Sequence, residues 1–214
     1  SSLGLDKCDV EIDDKNFINR VSKGAYELGS VLKPFTLAAG LDMGIIEPST
    51  EFLNLPKSIK CGGFPIREYD ESIPKNLTAE QILIRSGNIG SVRIAQKIGG
   101  ENFKNFLKKI GVIGNVNFDI EEVAYQNDFS IGKCKLATAS FGHGITTTLL
   151  QLAKGYAIIT NGGFNVNPKL TMNNNNDLTK KNKQILAKDV SEKMVKILRK
   201  IVTNDEGTAG LANV

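Results

Sequence analysis

The chain has 214 residues, of which 41% are hydrophobic and 23% are charged, and these fractions exclude an intrinsically disordered chain. Its 27 basic and 23 acidic residues leave a formal net charge of +4. The excess is spread along the chain, and the short basic cluster at Lys180, Lys181 and Lys183 has no aromatic residues beside it. We therefore expect a packed globular core and no nucleic-acid partner.

The amino-terminal segment differs in composition from the remainder. Residues 1–18 are polar and acidic with little periodicity. We predict a poorly ordered arm or remnant there, followed by a domain over residues 19–214. No stretch approaches the roughly 18 uninterrupted apolar residues of a membrane span. We therefore expect neither a membrane segment nor a signal peptide in this chain.

The first strong helical pattern begins near Ser30. Leu37 and Leu41 recur at helical spacing, and Gly44 is a stop signal just beyond them. Pro34 fits a helix only in its first turn, because deeper inside it removes a backbone hydrogen bond and clashes with the preceding turn. We therefore predict that this helix begins close to Ser30.

The later chain is predicted to be mainly helical. Four prolines and a Gly-Gly pair within residues 47–74 indicate short strands or an excursion loop. Thr78 and Gln81 have the spacing of a capping box, which predicts a helix start. Periodicity predicts further helices over residues 89–98, 101–110, 146–160 and 189–202, and a short strand over residues 164–168. We expect five or six helices and few strands.

The cysteine and histidine content argues against a metal centre. Cys8, Cys61 and Cys134 are far apart and show no Cys-x-x-Cys or Cys/His spacing, and His143 is the single histidine. We predict no metal and no cofactor, and the odd cysteine count argues against a closed disulfide framework. No Ser/Asp pattern accompanies His143, so we interpret it as a structural or surface residue.

The spacing Ser-x-x-Lys, which places two side chains on one helical face, occurs three times. A serine nucleophile needs a neighbour that accepts its proton, and a lysine can do this only if burial lowers its pKa. In the pairs that begin at Ser72 and Ser130, a proline or glycine directly precedes the lysine. Ser30 and Lys33 begin an apolar helix instead, and they are the candidate nucleophile and base. The alternative for Ser30 is a helix N-cap.

Ser86-Gly87-Asn88 lies at a break between two predicted helices. A hydroxyl and an amide two residues apart in a turn can point into one cleft. Ser86 would then supply a proton relay, and Asn88 an amide that bonds both a lysine and a substrate. The alternative is a simple linker whose Asn88 caps the next helix.

Together these motifs resemble the Ser-x-x-Lys and Ser-x-Asn signatures of penicillin-binding proteins, with Gly87 where a related signature has Asp. Longer blocks, in family order, are similar to class B penicillin-binding proteins, especially the septal, division-specific peptidoglycan D,D-transpeptidase. They cover residues 19–20, 26–34, 85–90, 140–145, 151–153, 161–163 and 206–209. The resemblance implies the α+β fold of the penicillin-binding protein and serine β-lactamase superfamily, with this chain chiefly its helical part.

The resemblance also implies a mechanism. Ser30 would attack the D-alanyl-D-alanine end of a peptidoglycan stem peptide, or the β-lactam ring of an antibiotic, and form an acyl-enzyme. Lys33 would be the base, Ser86 would pass a proton to the leaving amine, and Asn88 would orient Lys33 and bind the substrate amide. The resemblance likewise implies cross-linking in septal cell-wall synthesis and cell-division proteins as partners. It also implies that the full-length protein is anchored at the periplasmic face of the inner membrane.

The third motif of this family, Lys-Thr-Gly, does not occur in the chain. We therefore expect an excerpt of a transpeptidase domain, truncated before the strand that normally supplies one oxyanion-hole donor. Loss of one such donor costs about 10²–10³ in rate, so weak or no catalysis is expected of this chain alone. Two alternatives stay open, namely a serine β-lactamase-like penicillin-recognising hydrolase and a non-catalytic divisome interaction module.

Overall fold

The computed structural model describes residues 18–118, 132–169 and 182–212, so the predicted arm over residues 1–18 lies almost entirely outside the described residues. In these ranges the chain forms seven α-helices. They are α1 (Lys33–Asp42), α2 (Ala79–Ile84), α3 (Asn88–Ile98), α4 (Gly100–Lys109), α5 (Lys133–Ala139), α6 (Leu149–Thr160) and α7 (Lys188–Thr203).

Six short strands accompany the helices in the described part of the chain. They are β1 (Ala25–Tyr26), β2 (Glu51–Phe52), β3 (Ser58–Cys61), β4 (Phe64–Arg67), β5 (Leu77–Thr78) and β6 (Thr147–Thr148). All pairings are antiparallel, with β1 against β6, β2 against β5 and β3 against β4. The mixture of many helices with a few short strands confirms the predicted α+β class.

Helix α1 lies at the centre of the fold. Its residues from Lys33 to Leu41 are buried, and it packs against α2, α3, α4, α6 and α7. A helix that is enclosed by other helices needs apolar residues on several faces, and Phe35, Leu37 and Ala38 are among those that α1 buries. The first turn of α1 is therefore held in place by the surrounding helices.

The chain enters α1 close to the predicted position. Gly29–Leu32 form a 3-10 turn that continues directly into α1, and Pro34 lies in the first turn of α1. The helix ends at Asp42, and Gly44 follows with a positive φ of 64°. Both predicted boundary signals, the early proline and the later glycine, are therefore confirmed.

Capping boxes begin two of the helices. Thr78 caps α2 and exchanges hydrogen bonds with Gln81, as the sequence predicts. Thr148 and Gln151 make the same arrangement at the start of α6, which the sequence interpretation missed. The predicted start of that helix, residue 146, is three residues too early, because Thr147 and Thr148 pair with β1 as an extended strand.

Two other elements differ from the prediction. The strand predicted over residues 164–168 is absent from the described residues, where Phe164 makes only an isolated bridge with Gln184. Helix α5 was not predicted, because its seven residues are too few to establish a clear periodicity. This short helix raises the count of helices above the expected five or six.

The prediction against a closed disulfide framework needs a correction. Cys61 on β3 and Cys134 on α5 form a disulfide, with their Cα atoms 5.2 Å apart. The two cysteines are 73 residues apart in the sequence, so only the contact between β3 and α5 shows that they meet. An odd count excludes complete pairing but does not exclude one pair. Cys8 lies outside the described residues.

None of the helices in the described residues has both the length and the apolar character needed to cross a membrane. Among the same residues, no group of three or more His, Cys, Asp or Glu side chains could hold a metal ion.

Candidate active site

Ser30 lies in the 3-10 turn that leads into α1, and it is exposed to solvent. The interpretation of Ser30 as a helix N-cap is wrong, because Leu28 and Leu32 occupy the N-cap positions and neither helix start has a side-chain cap. Within the described residues the Ser30 hydroxyl makes no hydrogen bond to Lys33 or Ser86. An accessible hydroxyl at this position can meet a substrate that arrives from solvent.

Lys33 follows Ser30 by three residues, and only 2% of its surface is exposed. Burial disfavours the charged amine and lowers the pKa of Lys33 from 10.5 to about 8, while the negative charge of Glu68 partly opposes this effect. At pH 7 about a tenth of Lys33 is therefore uncharged, far more than for a lysine with an ordinary pKa. A neutral amine is the form that can accept a proton.

The amine of Lys33 is held against Ser86. Its Nζ donates to the Ser86 hydroxyl over 2.8 Å and also donates to the Ser86 backbone carbonyl. Two acceptors on one residue fix the position of the amine at the end of its flexible side chain. The structure thus brings together one member of each predicted motif.

Ser86 has an unusual backbone conformation. Its φ is +55°, in the left-handed region that glycine favours, and strain of this kind costs about 1–3 kcal/mol. The Ser86 N–H donates to Leu83 and the Gly87 N–H donates to Ile82, which is the Schellman arrangement at the end of α2. A positive φ is uncommon outside glycine, and it marks Ser86 as a candidate for a functional side chain.

Asn88 is the first residue of α3, and among the described residues it makes no hydrogen bond to Lys33. Its Nδ2 donates to the Arg67 carbonyl over 2.8 Å. The hydrogen bonds of Lys33 go to Ser86, so the expectation that Asn88 orients Lys33 directly is not met in the described residues. Asn88 also does not cap α3, because Gly87 occupies the N-cap position and makes no side-chain hydrogen bond.

The turn that carries Ser30 is clamped by a second loop. The Gly29 N–H donates to the Gly142 carbonyl over 3.2 Å, and the Thr36 hydroxyl donates to the Ser140 carbonyl over 2.8 Å. Gly142 has a φ of 86°, and a Cβ atom there would lie 2.0 Å from the Gly29 oxygen. Only glycine therefore permits this close approach of the two backbones.

Tyr156 on α6 holds the same turn from another side. Its hydroxyl donates to the Val31 carbonyl over 2.8 Å, and its ring packs edge-on against Phe35. Burial raises the pKa of Tyr156 to about 12, so the hydroxyl keeps its proton and remains a donor. The backbone on either side of Ser30 is thus tied to two separate elements.

His143 neighbours Gly142 but is exposed, and its ring packs against Phe141 at a centroid distance of 5.1 Å. The block at residues 206–209 contacts the block at residues 85–90, since Arg85 forms an ion pair with Glu206 at 2.7 Å. The structure therefore places parts of the 26–34, 85–90, 140–145 and 206–209 blocks around one region.

Sequence interpretation missed three residues that support this region, namely Glu68, Gly142 as the site of a backbone contact, and Tyr156. Glu68 lies between β4 and β5, and both oxygens of its carboxylate accept backbone N–H groups of α3. No spacing in the sequence relates Glu68 or Tyr156 to Ser30 or Ser86. Their roles depend on contacts between segments that are distant along the chain.

Comparisons with known proteins show which family this chain is similar to. A family model described as "Penicillin binding protein transpeptidase domain" matches residues 6–213. The chain is 27% identical over 203 residues to the "Probable peptidoglycan D,D-transpeptidase FtsI" of Caulobacter vibrioides, covering 94% of this chain and 34% of that protein. It is 30% identical over 148 residues to the "Probable peptidoglycan D,D-transpeptidase PenA" of Neisseria flavescens, covering 68% and 36%.

Solved structures give the same result. The transpeptidase domain of penicillin-binding protein 3 from Burkholderia pseudomallei has a TM-score of 0.81 and 26% sequence identity. The match covers 92% of this chain and 59% of that one. The chain spans about a third of the length of the curated relatives named above. The family model nevertheless matches nearly the whole chain, and the chain therefore belongs to the penicillin-binding protein transpeptidase domain family.

Proposed function

We propose that this chain is the helical, acylating part of a serine D,D-transpeptidase domain, from residue 19 to residue 214, that cross-links peptidoglycan stem peptides in septal cell-wall synthesis. One observation carries the proposal. Lys33 is a buried amine with a lowered pKa, it is fixed against Ser86, and it begins the helix one turn after the exposed hydroxyl of Ser30. This combination is what activation of a serine by a lysine requires.

The acylation step uses the neutral form of Lys33. Two of its hydrogens can point to the carbonyl and hydroxyl oxygens of Ser86, which leaves the nitrogen lone pair free to take the proton of Ser30. The Ser30 oxygen then bonds to the penultimate D-alanine carbonyl carbon, and the bond from that carbon to the terminal D-alanine nitrogen breaks. The product is an ester on Ser30.

Ser86 completes the proton balance. A hydroxyl can accept one hydrogen bond while donating another, so Ser86 can accept from Lys33 and donate to the nitrogen of the leaving D-alanine. The proton that Lys33 took from Ser30 is thereby returned to the leaving group. The amine of a neighbouring stem peptide then bonds to the ester carbon, and the bond from that carbon to the Ser30 oxygen breaks. The proton that the amine loses passes through Lys33 to the Ser30 oxygen, which restores the hydroxyl. A β-lactam would acylate Ser30 by the same first step.

Asn88 has a narrower role than the sequence resemblance implies. Its Nδ2 is engaged by the Arg67 carbonyl, whereas its Oδ1 has no hydrogen-bond partner among the described residues. We assign Oδ1 to accept from the amide N–H of the substrate. Asn88 would thus orient the acyl donor, and Lys33 would be oriented by Ser86.

The Cys61–Cys134 disulfide supports an exported location, because disulfides persist in oxidising compartments such as the bacterial periplasm. We therefore propose the periplasmic face of the inner membrane as the site of action, with a membrane anchor in the full-length protein. Cell-division proteins are the proposed partners. Relatives named as peptidoglycan D,D-transpeptidases support peptidoglycan as the substrate.

The test is labelling of the complete gene product with a fluorescent penicillin. We expect lasting label on the unaltered protein and none on Ser30→Ala. Ser72→Ala is the matched control, since Ser72 also begins a Ser-x-x-Lys sequence but lies in an exposed loop, and it should label normally. Release of the label with turnover of the drug would favour a β-lactamase-like hydrolase. Absence of label, together with partner binding that survives Ser30→Ala, would favour a non-catalytic interaction module.

A further inference from the structure

Glu68 directly follows β4 and bonds the start of α3 with both oxygens of its carboxylate. One oxygen accepts the Asn88 backbone N–H, and the other accepts the Ile89 N–H over 2.9 Å. The first N–H groups of a helix lack partners within the helix and carry partial positive charge. A carboxylate that accepts two of them is therefore a strong anchor for this end of α3.

The anchor comes from outside the helix. The residue at the N-cap position of α3 is Gly87, which has no side chain to accept a hydrogen bond. A local capping residue would stabilise α3 without fixing where it lies, whereas Glu68 ties the helix start to the β3–β4 hairpin. The Arg67 carbonyl adds a third bond, which it accepts from the Asn88 side chain over 2.8 Å.

The hairpin that carries Glu68 is itself fixed. Strands β3 and β4 pair over four residues each, from Ser58 opposite Arg67 to Cys61 opposite Phe64. Ile66 is buried in the core, and Cys61 is joined to Cys134 on α5. The hairpin therefore holds Glu68 in a fixed position beside the Ser86-Gly87-Asn88 motif.

The charge of Glu68 also affects Lys33, the candidate base of the Ser30-x-x-Lys33 motif. Among the described residues it is the charged group that shifts the pKa of Lys33, and it raises that pKa against the larger effect of burial. Other charged groups nearby are engaged elsewhere. Asp70 accepts two hydrogen bonds from Ser72, and Arg85 pairs with Glu206. Arg67 adjoins Glu68 on the exposed edge of β4.

We propose that Glu68 is a positioning residue for acylation, and that its carboxylate sets the place of Ser86 and Asn88 relative to Lys33. This inference rests on the function proposed above, but it makes a separate statement about the geometry and charge at Lys33. Glu68 touches neither Ser30 nor the reacting atoms in the proposed mechanism. Its effect passes through the backbone of α3 and through its charge.

Three variants separate these effects. Glu68→Gln removes the charge and replaces one accepting oxygen with an NH₂ group that cannot accept the Asn88 N–H. Glu68→Asp keeps the charge on a side chain one methylene shorter. Glu71→Gln is the matched control, because Glu71 is an exposed carboxylate three residues further along the same segment.

The first measurement is an NMR titration of the Lys33 side chain in this chain, with Lys33→Met used to assign the signal. We expect the Lys33 pKa to fall in Glu68→Gln, to stay closer to the unaltered value in Glu68→Asp, and to be unchanged in Glu71→Gln. Equal Lys33 titration in all four proteins would overturn the inference. This readout does not require acylation, so it stands whether or not the proposed function is correct.

The second measurement is the rate of acylation by a fluorescent penicillin, across pH, in the complete gene product. We expect Glu68→Gln to slow acylation by about tenfold or more, because small displacements of catalytic groups have effects of this size. Its pH profile should shift to lower pH along with the Lys33 pKa, and Glu68→Asp should recover part of the loss. If Glu68→Gln slows acylation equally at every pH and does not shift the pH profile, Glu68 only caps α3, and the proposal is contradicted. If the unaltered protein is not acylated, the proposed function fails and the titration alone decides the role of Glu68.

Discussion

The amine of Lys33 lies 2.8 Å from the hydroxyl of Ser86, although the two residues are 53 positions apart in the sequence. Helix α1 supplies the lysine, and the turn between α2 and α3 supplies the serine. Helix α1 is buried at the centre of the fold and packs against both α2 and α3, and this packing brings Lys33 and Ser86 into contact. The packing of the helices therefore brings the two motifs together.

The pKa of Lys33 predicts how acylation depends on pH. With a pKa of about 8, roughly 1% of the amine is neutral at pH 6, about a tenth at pH 7 and half at pH 8. We expect the acylation rate of the complete gene product to rise with pH from 6 to 8 and to level off above that range. Stopped-flow measurement with a chromogenic β-lactam would give this profile. A rate that is flat or falls between pH 6 and 8 would show that neutral Lys33 is not the base.

The backbone strain at Ser86 predicts opposite effects on stability and activity. Ser86→Gly removes the strain of a positive φ, and we expect it to raise the free energy of unfolding by about 1 kcal/mol. The same change removes the hydroxyl that contacts Lys33, so acylation should slow. Ser86→Ala is the control, since it removes the hydroxyl but keeps a side chain in the strained position and should give no gain in stability. Urea unfolding and penicillin labelling of both variants measure the two effects. Stability gained equally by both variants would argue against backbone strain as the cause.

Sequence interpretation succeeded where the signal was local. The start of α1, the capping box at Thr78 and the break before Asn88 each depend on residues within a few positions of one another. It failed where the cause lies elsewhere in the chain. The start of α6 is shifted because Thr147 and Thr148 pair with β1, and the disulfide forms because β3 contacts α5.

The candidate site shows the same division. The motifs that contain Ser30, Lys33, Ser86 and Asn88 could be selected from spacing and context, and burial of Lys33 follows from its apolar neighbours. The direction of the Asn88 amide could not be predicted, because its partner is the Arg67 carbonyl. Glu68 and Tyr156 carry no local signal, since each acts on a segment at least 20 residues away.

The disulfide between Cys61 and Cys134 should contribute to stability. It closes a loop of 73 residues, and removing a disulfide of this kind costs about 2–4 kcal/mol. We expect the double variant Cys61→Ser, Cys134→Ser to unfold at a lower urea concentration than the unaltered chain. Cys8→Ser leaves the pair intact and serves as the control. Unfolding curves that coincide for all three proteins, measured without reductant, would show that the disulfide adds no stability.

The contact between Gly142 and Gly29 predicts a position that tolerates no side chain. In Gly142→Ala the new Cβ would meet the Gly29 carbonyl, so the turn that carries Ser30 must move. We expect a loss of at least about 2 kcal/mol of stability and slower acylation. Gly132→Ala is the matched control, because Gly132 has an ordinary φ of −73° and open space where a Cβ would lie. Thermal unfolding should separate the two variants, and equal stability for both would contradict the proposed clamp.

The proposal that Ser30 forms the acyl-enzyme can be tested at the level of a single residue. The complete gene product is treated with a penicillin, digested, and its modified peptide is sequenced by mass spectrometry. We expect one penicilloyl group, attached to Ser30, and no adduct in the Lys33→Met variant over the same time. An adduct on any other residue, or unchanged acylation of Ser30 after Lys33→Met, would refute the mechanism.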